Sequence, residues 1–289
     1  MDQRFSHVLN VIADDARLLA DTFSARGGEI AWLSDGRAFD TTFAGDPAMA
    51  LTEARAMAEG ADINVVATAH RRKRLLVADM DSTIINCECL DELADMAGLK
   101  DKVSAITERA MRGEIAFDGA LRERVGLLKG LELAALERVW RERVRLNPGA
   151  KALVATMKTH GAYALLVSGG FTFFTARVAE AAGFDDTRAN VLLDDGALLT
   201  GKVGEPILGR EAKLAALEGE VANLGIGFDD ALCVGDGAND LAMIERAGLG
   251  VAYHAKPLVA AAAGASIEHH DLTALLYLQG YRDDEIVRV

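Results

Sequence analysis

The sequence predicts an α/β protein: a parallel sheet with helices on both faces, an inserted helical cap and a small N-terminal α/β module. Three observations lead there. From Tyr163 onward short apolar segments alternate with helical ones, the pattern of parallel strands joined by crossover helices. The stretch 87–145 is rich in Leu, Ala, Glu and Arg at helical spacing and holds no convincing strand. Finally, Asp79-Met80-Asp81-Ser82-Thr83 closes the first apolar strand of the series, at the end where open α/β sheets place their ligands.

Residues 1–70 read as the small module. Ile30-Ala31-Trp32-Leu33 and Phe39-Asp40-Thr41-Thr42-Phe43 flank Ser34-Asp35-Gly36 as a hairpin. Asp46 caps and Pro47 opens an alanine-rich helix to about Glu59, and Ile63 to Ala67 forms another strand. The basic run Arg71-Arg72-Lys73-Arg74 is expected to be a solvated linker before the strand Leu75-Leu76-Val77-Ala78. The core then comprises 71–86 and 146–289, with 87–145 inserted as a cap placed to act as a lid. Asn147-Pro148-Gly149 starts a helix, followed by strands Tyr163 to Val167, Ala231 to Val234 and Leu249 to Ala252, each with its helix. This is a Rossmann-like three-layer plan. Val191-Leu192-Leu193 and Ala197-Leu198-Leu199 around Asp194-Asp195-Gly196 add a β-hairpin.

The length of 289 residues suits about two domains and a sizeable core. With 51% hydrophobic and 26% charged residues and only 4 Pro, the composition is globular. Lys+Arg is 31 against Asp+Glu 44, a net charge of −13, which argues against nucleic acid or an anionic membrane as partner and confines any phosphate site to a local cluster. Cys87, Cys89 and Cys233 cannot all pair, which suits a reducing compartment. The N-terminal segment meets Asp14 and Asp15 after a very short apolar stretch, unlike a signal peptide. The uncharged run Leu258 to Ile267 is far short of the about 18 apolar residues a membrane helix needs. A cytoplasmic protein is expected.

Four elements carry chemistry. In the first, a carboxylate at Asp79 can attack phosphorus, while Asp81, two residues on and facing the other way, can protonate a leaving oxygen and later take a proton from water. The pair would also attract Mg²⁺, which prefers oxygen ligands. The second is Ser168-Gly169-Gly170-Phe171, read as a strand-to-helix turn whose hydroxyl and free N–H groups cradle phosphate oxygens. The third is Lys213, early in a helical segment. Gly235-Asp236-Gly237-Ala238-Asn239-Asp240 is the fourth; it follows a strand and supplies further carboxylates.

In this order, at these strand ends, the four elements resemble the haloacid dehalogenase-like phosphohydrolases, and within them the branch that acts on O-phospho-L-serine. The resemblance covers about residue 72 to the C-terminus. It implies an aspartyl-phosphate mechanism with Asp79 as nucleophile and Asp81 as general acid and base. Ser168 and Gly169 bind the phosphoryl group, Lys213 balances its charge, Asn239 also contacts substrate, and Asn239 and Asp240 support the metal site. Mg²⁺ is held by Asp79, the Asp81 carbonyl and Asp236. In the cap, Glu88 and Arg124 read the amino acid, with Met111 and Phe117 lining the pocket. The implied activity is release of L-serine and phosphate, the closing step of serine biosynthesis. Two rivals are a phosphotransferase that hands the aspartyl phosphate to an alcohol such as homoserine, and a non-catalytic sensor of amino acid and phosphate. Against the sensor stands the intact set Asp79, Asp81, Lys213 and Asp236. A small-molecule substrate is the expected partner, with a homodimer admitted. Relatives with ACT-like regulatory modules make the N-terminal unit compatible with a shortened one.

Other residues are read plainly. Cys87-Glu88-Cys89 is packing rather than a metal or redox pair, because no further ligand cluster lies at suitable spacing. His269-His270 is expected to be a surface pair. Phe171, Phe173 and Phe174 fit a core helix face.

Overall fold

The computed structural model describes residues 6–111 and 114–289, organised by sheets of four, six and two strands. The chain opens with β1 (His7–Ile12), α1 (Arg17–Ala25), β2 (Ile30–Ser34), β3 (Ala38–Thr41), α2 (Pro47–Ala56) and β4 (Asp62–Ala67). These strands pair antiparallel in the order β2-β3-β1-β4, a β-α-β-β-α-β arrangement. The expected hairpin is β2–β3, and Asp46 caps α2 by accepting from the N–H groups of Ala48 and Met49, both at 3.0 Å. The sequence reading missed β1 and α1. Strand β1 runs between β3 and β4 with both faces covered, so Val8 to Ile12 are all buried and no apolar–polar alternation marks it. Leu9, Val11, Phe39 and Ile63 face the module's helices, whereas Val8, Ile12, Leu33 and Val66 join the main core.

A polar seam completes that docking. Strand β12 (Ala265–Ile267) is the edge of the main sheet, and the Asn64 side chain stands in for its missing neighbour. Its Nδ2 donates to the Ser266 carbonyl at 3.0 Å and its Oδ1 accepts from the Ser266 N–H at 2.9 Å. Asp62 accepts from the next N–H groups, Glu268 at 2.7 Å and His270 at 3.0 Å, and its Oδ2 lies 2.8 Å from His270 Nδ1. His270 is therefore no surface residue, its side chain being only 12% exposed. Nor is the basic run a solvated linker. Arg71 grips Asp40 with two hydrogen bonds of 2.6 and 2.8 Å, and buried Lys73 donates to the Asp229 carbonyl at 2.7 Å. Those partners lie far away in sequence, so composition could not reveal them.

The main sheet is parallel throughout, in the order β12-β11-β10-β5-β6-β7. It comprises β5 (Leu75–Ala78), β6 (Tyr163–Phe171), β7 (Asp186–Asn190), β10 (Ala231–Gly235), β11 (Leu249–Tyr253) and β12. Leu75 and Val77 pack on the side of α9 (Arg210–Leu224), α10 (Leu241–Arg246) and α11 (Pro257–Ala262). Leu76 and Ala78 pack on the side of α7 (Ala150–Thr159), α8 (Thr172–Ala182) and α12 (Ala274–Leu278). Alternate side chains thus bury into opposite layers, giving three layers. Strands β7 and β12 were not expected: β7 (Asp-Thr-Arg-Ala-Asn) carries almost no apolar signal and β12 has three residues. Strand β6 runs on through Phe171, with a register shift between Val167 and Phe171, where a turn was expected.

Between β5 and α7 lie α3 (Cys89–Met96), α4 (Lys100–Met111), α5 (Phe117–Leu127) and α6 (Leu133–Glu142). Leu93, Leu121, Val125, Leu136 and Val139 seal α3, α5 and α6 onto the core cluster. The hairpin β8 (Leu192–Asp194) and β9 (Leu199–Val203) grips the α5–α6 connection. Gly130 N–H donates to Leu199 O and Leu199 N–H to Leu131 O, both at 2.8 Å. Its second strand starts later than the sequence suggests, Ala197 and Leu198 being used in that connection. Among the described residues no helix is long and apolar enough to cross a membrane.

Candidate active site

The carboxyl ends of β5, β6 and β10 converge on a cavity of about 490 Å³ roofed by α3 and α5. Asp79 leaves β5 with its N–H donating to Val234 O at 3.0 Å, which locks its backbone to the neighbouring strand. Its Oδ1 accepts from Met80 N–H at 2.8 Å and lies 2.8 Å from Lys213 Nζ, and the residue lines the cavity. After extended Asp81 the chain turns sharply at Ser82, whose φ of 55° is left-handed and uncommon outside glycine. Asp79 and Asp81, both extended and two residues apart, line the same cavity.

Asp81 is held from two sides: Oδ1 accepts from Cys89 N–H at the start of α3 (2.9 Å), and Oδ2 from the Ser168 hydroxyl (3.0 Å). Ser168 in turn accepts from Gly170 N–H at 2.8 Å. A Cβ on Gly170 would sit 2.9 Å from both Asp81 Oδ2 and Ser168 Oγ, so glycine is required there. The phosphate-cradling turn expected from sequence is therefore a bulged strand end. Asn190, which no local signal marks, braces it: Nδ2 donates to Gly169 O (2.8 Å) while Oδ1 accepts from Leu208 N–H (2.8 Å).

Lys213, on the first turn of α9, is buried between two carboxylates, with Nζ 2.8 Å from Asp79 and 2.6 Å from Asp240. Burial would lower its proton affinity, but Asp79 and Asp240 outweigh it and the pKa is raised. Asp240 Oδ2 also accepts from Gly237 N–H at 3.1 Å, so Asp240 anchors the lysine and the loop. A Cβ on Gly235 would meet Asp240 Cγ at 2.4 Å, which explains that glycine. Thr83 donates to Asp236 at 3.3 Å, a contact not foreseen.

Oxygens of Asp79, Asp236 and Asp240 lie within 4.8 Å of one another. Burial, then neighbouring charges, raises the pKa of Asp79 well above the usual carboxylate range against the pull of Lys213. Asp236 is raised by burial and by Asp240, and Asp81 by burial against the hydrogen bonds from Cys89 and Ser168. One lysine does not offset so many carboxylates. Asp240 engages Lys213 through Oδ1 and the Gly237 N–H through Oδ2, whereas Asp79 engages only Oδ1, so Asp79 and Asp236 form the donor pair that suits a hard divalent cation.

The roof holds Glu88, Phe117 and Arg124. Glu88 is open to the cavity and takes a 2.9 Å hydrogen bond from Ser82. Incomplete hydration there, followed by repulsion from Asp81 and Asp236, pushes its carboxyl up to about 7. Burial lowers the pKa of Arg124, opposed by Asp91 and Glu88; its Nε donates to Ala120 O at 3.4 Å. Phe117 covers Gly169, whose Cβ would lie 3.4 Å from the ring. Asn239 lines the floor. Met111 ends α4 and its side chain lies outside the described residues. Cys87 and Cys89 are free thiols. Phe171 and Phe174 are buried, whereas Phe173 is partly exposed beneath the Arg177 guanidinium, 3.6 Å from the ring centre.

Residues 76–245 match the model of the haloacid dehalogenase-like hydrolases. Over 211 residues the chain is 51% identical to the phosphoserine phosphatase of Polaromonas sp., covering 71% of this chain and 89% of the relative. A haloacid dehalogenase family hydrolase from Salmonella enterica serovar Typhi superposes with a TM-score of 0.85 at 27% identity, over 95% of this chain and 98% of the other. A phosphoserine phosphatase solved as a phospho-aspartyl intermediate analogue superposes with a TM-score of 0.65 at 39% identity, over 71% of this chain and 98% of that one.

Proposed function

The chain belongs to the haloacid dehalogenase-like hydrolases, and from that premise we propose that it hydrolyses O-phospho-L-serine to L-serine and phosphate through an aspartyl phosphate on Asp79. The observation that carries the substrate is the pairing in one cavity of Glu88 and Arg124 above Asp79 and Asp81. Phosphoserine bears an ammonium and a carboxylate on one carbon, and this roof offers one anion and one cation. Arg124 has no carboxylate partner within ion-pair distance among the described residues, so its fork is available to a ligand carboxylate.

Asp79 Oδ2 attacks phosphorus in line, the O–P bond to serine breaks, and Asp81 gives its proton to the departing alkoxide. The raised proton affinity of Asp81 suits that role. Asp81 then takes a proton from water, which attacks the phosphoryl group and frees Asp79 and phosphate. Ser168, the Gly169 backbone and Lys213 hold the phosphoryl oxygens and neutralise charge. Mg²⁺ held by Asp79, Asp236 and the Asp81 carbonyl would supply further charge neutralisation at those oxygens.

Two measurements test this reading. Arg124→Lys and Glu88→Gln are expected to lower kcat/KM for phosphoserine about 10- to 100-fold, the range for a hydrogen bond to a charged group, and to change that for p-nitrophenyl phosphate little. Because Glu88 titrates near 7, KM for phosphoserine should rise from pH 8 to pH 6 more steeply in the parent than in Glu88→Gln. Equal losses on both substrates would assign the two residues to cap structure and remove the phosphoserine reading. Product analysis with an added alcohol acceptor separates hydrolysis from phosphotransfer.

Exhaustive chelation should abolish activity and Mg²⁺ restore it, with Asp236→Ala raising the metal requirement. Ca²⁺ should inhibit, because its longer bonds and higher coordination number favour bidentate binding of Asp79, occupying the attacking oxygen. Full activity with Ca²⁺, or after chelation, would refute the assigned metal ligands.

A further inference from the structure

Lys256 lines the same cavity, where β11 gives way to α11. Its N–H donates to the Asp236 carbonyl at 3.4 Å, which ties it to the acidic loop. The residue is exposed, and its ammonium has no ion pair or hydrogen bond among the described residues. Of the other cations near the reacting atoms, Lys213 is buried between Asp79 and Asp240, and Arg124 stands on α5 in the roof, where the proposed reading assigns it to the substrate carboxylate. Around Lys256, Asp81, Glu88, Asp91 and Asp236 line the cavity of a protein already at −13. A phosphomonoester, close to doubly negative at neutral pH, must pass these carboxylates to reach Asp79. Helix stability does not account for a cation here, since Lys256 precedes the first turn of α11, where the helix dipole disfavours positive charge.

We propose that Lys256 is a phosphate-handling residue: its ammonium draws the phosphoryl group past the acidic mouth and meets inorganic phosphate as it leaves. The role rests on a phosphomonoester being the substrate but not on serine being its alcohol. A lysine suits it, because a point charge on a flexible stem follows a moving anion where an arginine fork would clamp it. The ammonium also lies near enough to Asp236 to favour that residue's charged form.

Lys256→Gln and Lys256→Arg can be compared with the parent on phosphoserine and p-nitrophenyl phosphate, with inorganic phosphate as inhibitor, at low and high ionic strength. For Lys256→Gln, kcat/KM should fall about tenfold on both substrates at low salt, mostly through KM. The inhibition constant of phosphate should rise by a similar factor, both effects should shrink at high salt, and Lys256→Arg should recover most of the loss. Unchanged phosphate inhibition and kcat/KM at low salt would overturn the proposal. So would a loss that persists at high salt together with a lowered melting temperature. Should the parent ignore phosphoserine, the substrate reading fails while the p-nitrophenyl phosphate and phosphate arms still report on Lys256.

Discussion

Asp79→Asn is expected to abolish turnover while leaving the fold intact. The amide nearly matches the carboxylate in shape but cannot form an acyl phosphate, and no other carboxylate takes its place: Asp240 is bound to Lys213 and Asp81 is turned toward Ser168 and Cys89. Acid-quenched parent enzyme should carry a phosphoryl adduct on residue 79 by mass spectrometry, and the variant none. Stability gives a second readout with a definite sign. The folded-state pKa of Asp79 lies well above its unfolded value, so this group favours folding at low pH and loses that contribution as pH rises through the folded pKa. At neutral pH the ionised carboxylate therefore works against folding in metal-free protein, and Asp79→Asn should melt no lower than the parent. Lys213 keeps its 2.6 Å contact to Asp240 in that variant. Near-normal phosphate release by Asp79→Asn would mean that the covalent route is wrong.

Lys213→Met should damage both activity and stability. Among the described residues the lysine is the one cation paired with Asp79 and Asp240, and its side chain is 3% exposed. Removing one partner of such a cluster strands the remaining charge and costs about 3–5 kcal/mol in comparable buried pairs. Activity should fall by about 10²–10³-fold or more, since a preorganised charge at the phosphoryl group is lost and Asp79 is driven further toward its protonated, non-nucleophilic form. Because Asp79 then lacks its counter-charge, the melting temperature of metal-free Lys213→Met should drop further at pH 8 than at pH 5. Adding Asp240→Asn should recover stability without recovering turnover, a coupling that a double-mutant cycle measures directly. If Lys213→Met kept activity within tenfold of the parent, Lys213 would be a structural counter-ion only.

The placing of Asp79 and Asp81 in one cavity was legible because they sit two residues apart just past one strand, and a short motif stays together wherever the strand goes. The cap was legible for a similar reason, as helical periodicity is a local property. The polar seam of the N-terminal module was not. Asp62 and His270, like Asn64 and Ser266, are more than 200 positions apart, and in sequence both histidines looked like solvent-facing residues. The basic run at Arg71 misled for the same reason: a charge reads as solvated until its buried partner is placed beside it.

The α/β plan, the strand ends that bear Asp79, Asp81, Ser168 and Asp236, and the family these imply could be read from local sequence, because each depends on neighbours within a few residues. What each charge faces is set by packing. Packing assigned Asp240 to Lys213, clamped Asp81 between Cys89 and Ser168, set Asn190 against the Gly169 carbonyl and left Lys256 lining the cavity with no ion pair among the described residues. Burial and long-range pairing set proton affinity and charge balance, and both arise only when distant segments pack, so no local pattern encodes them.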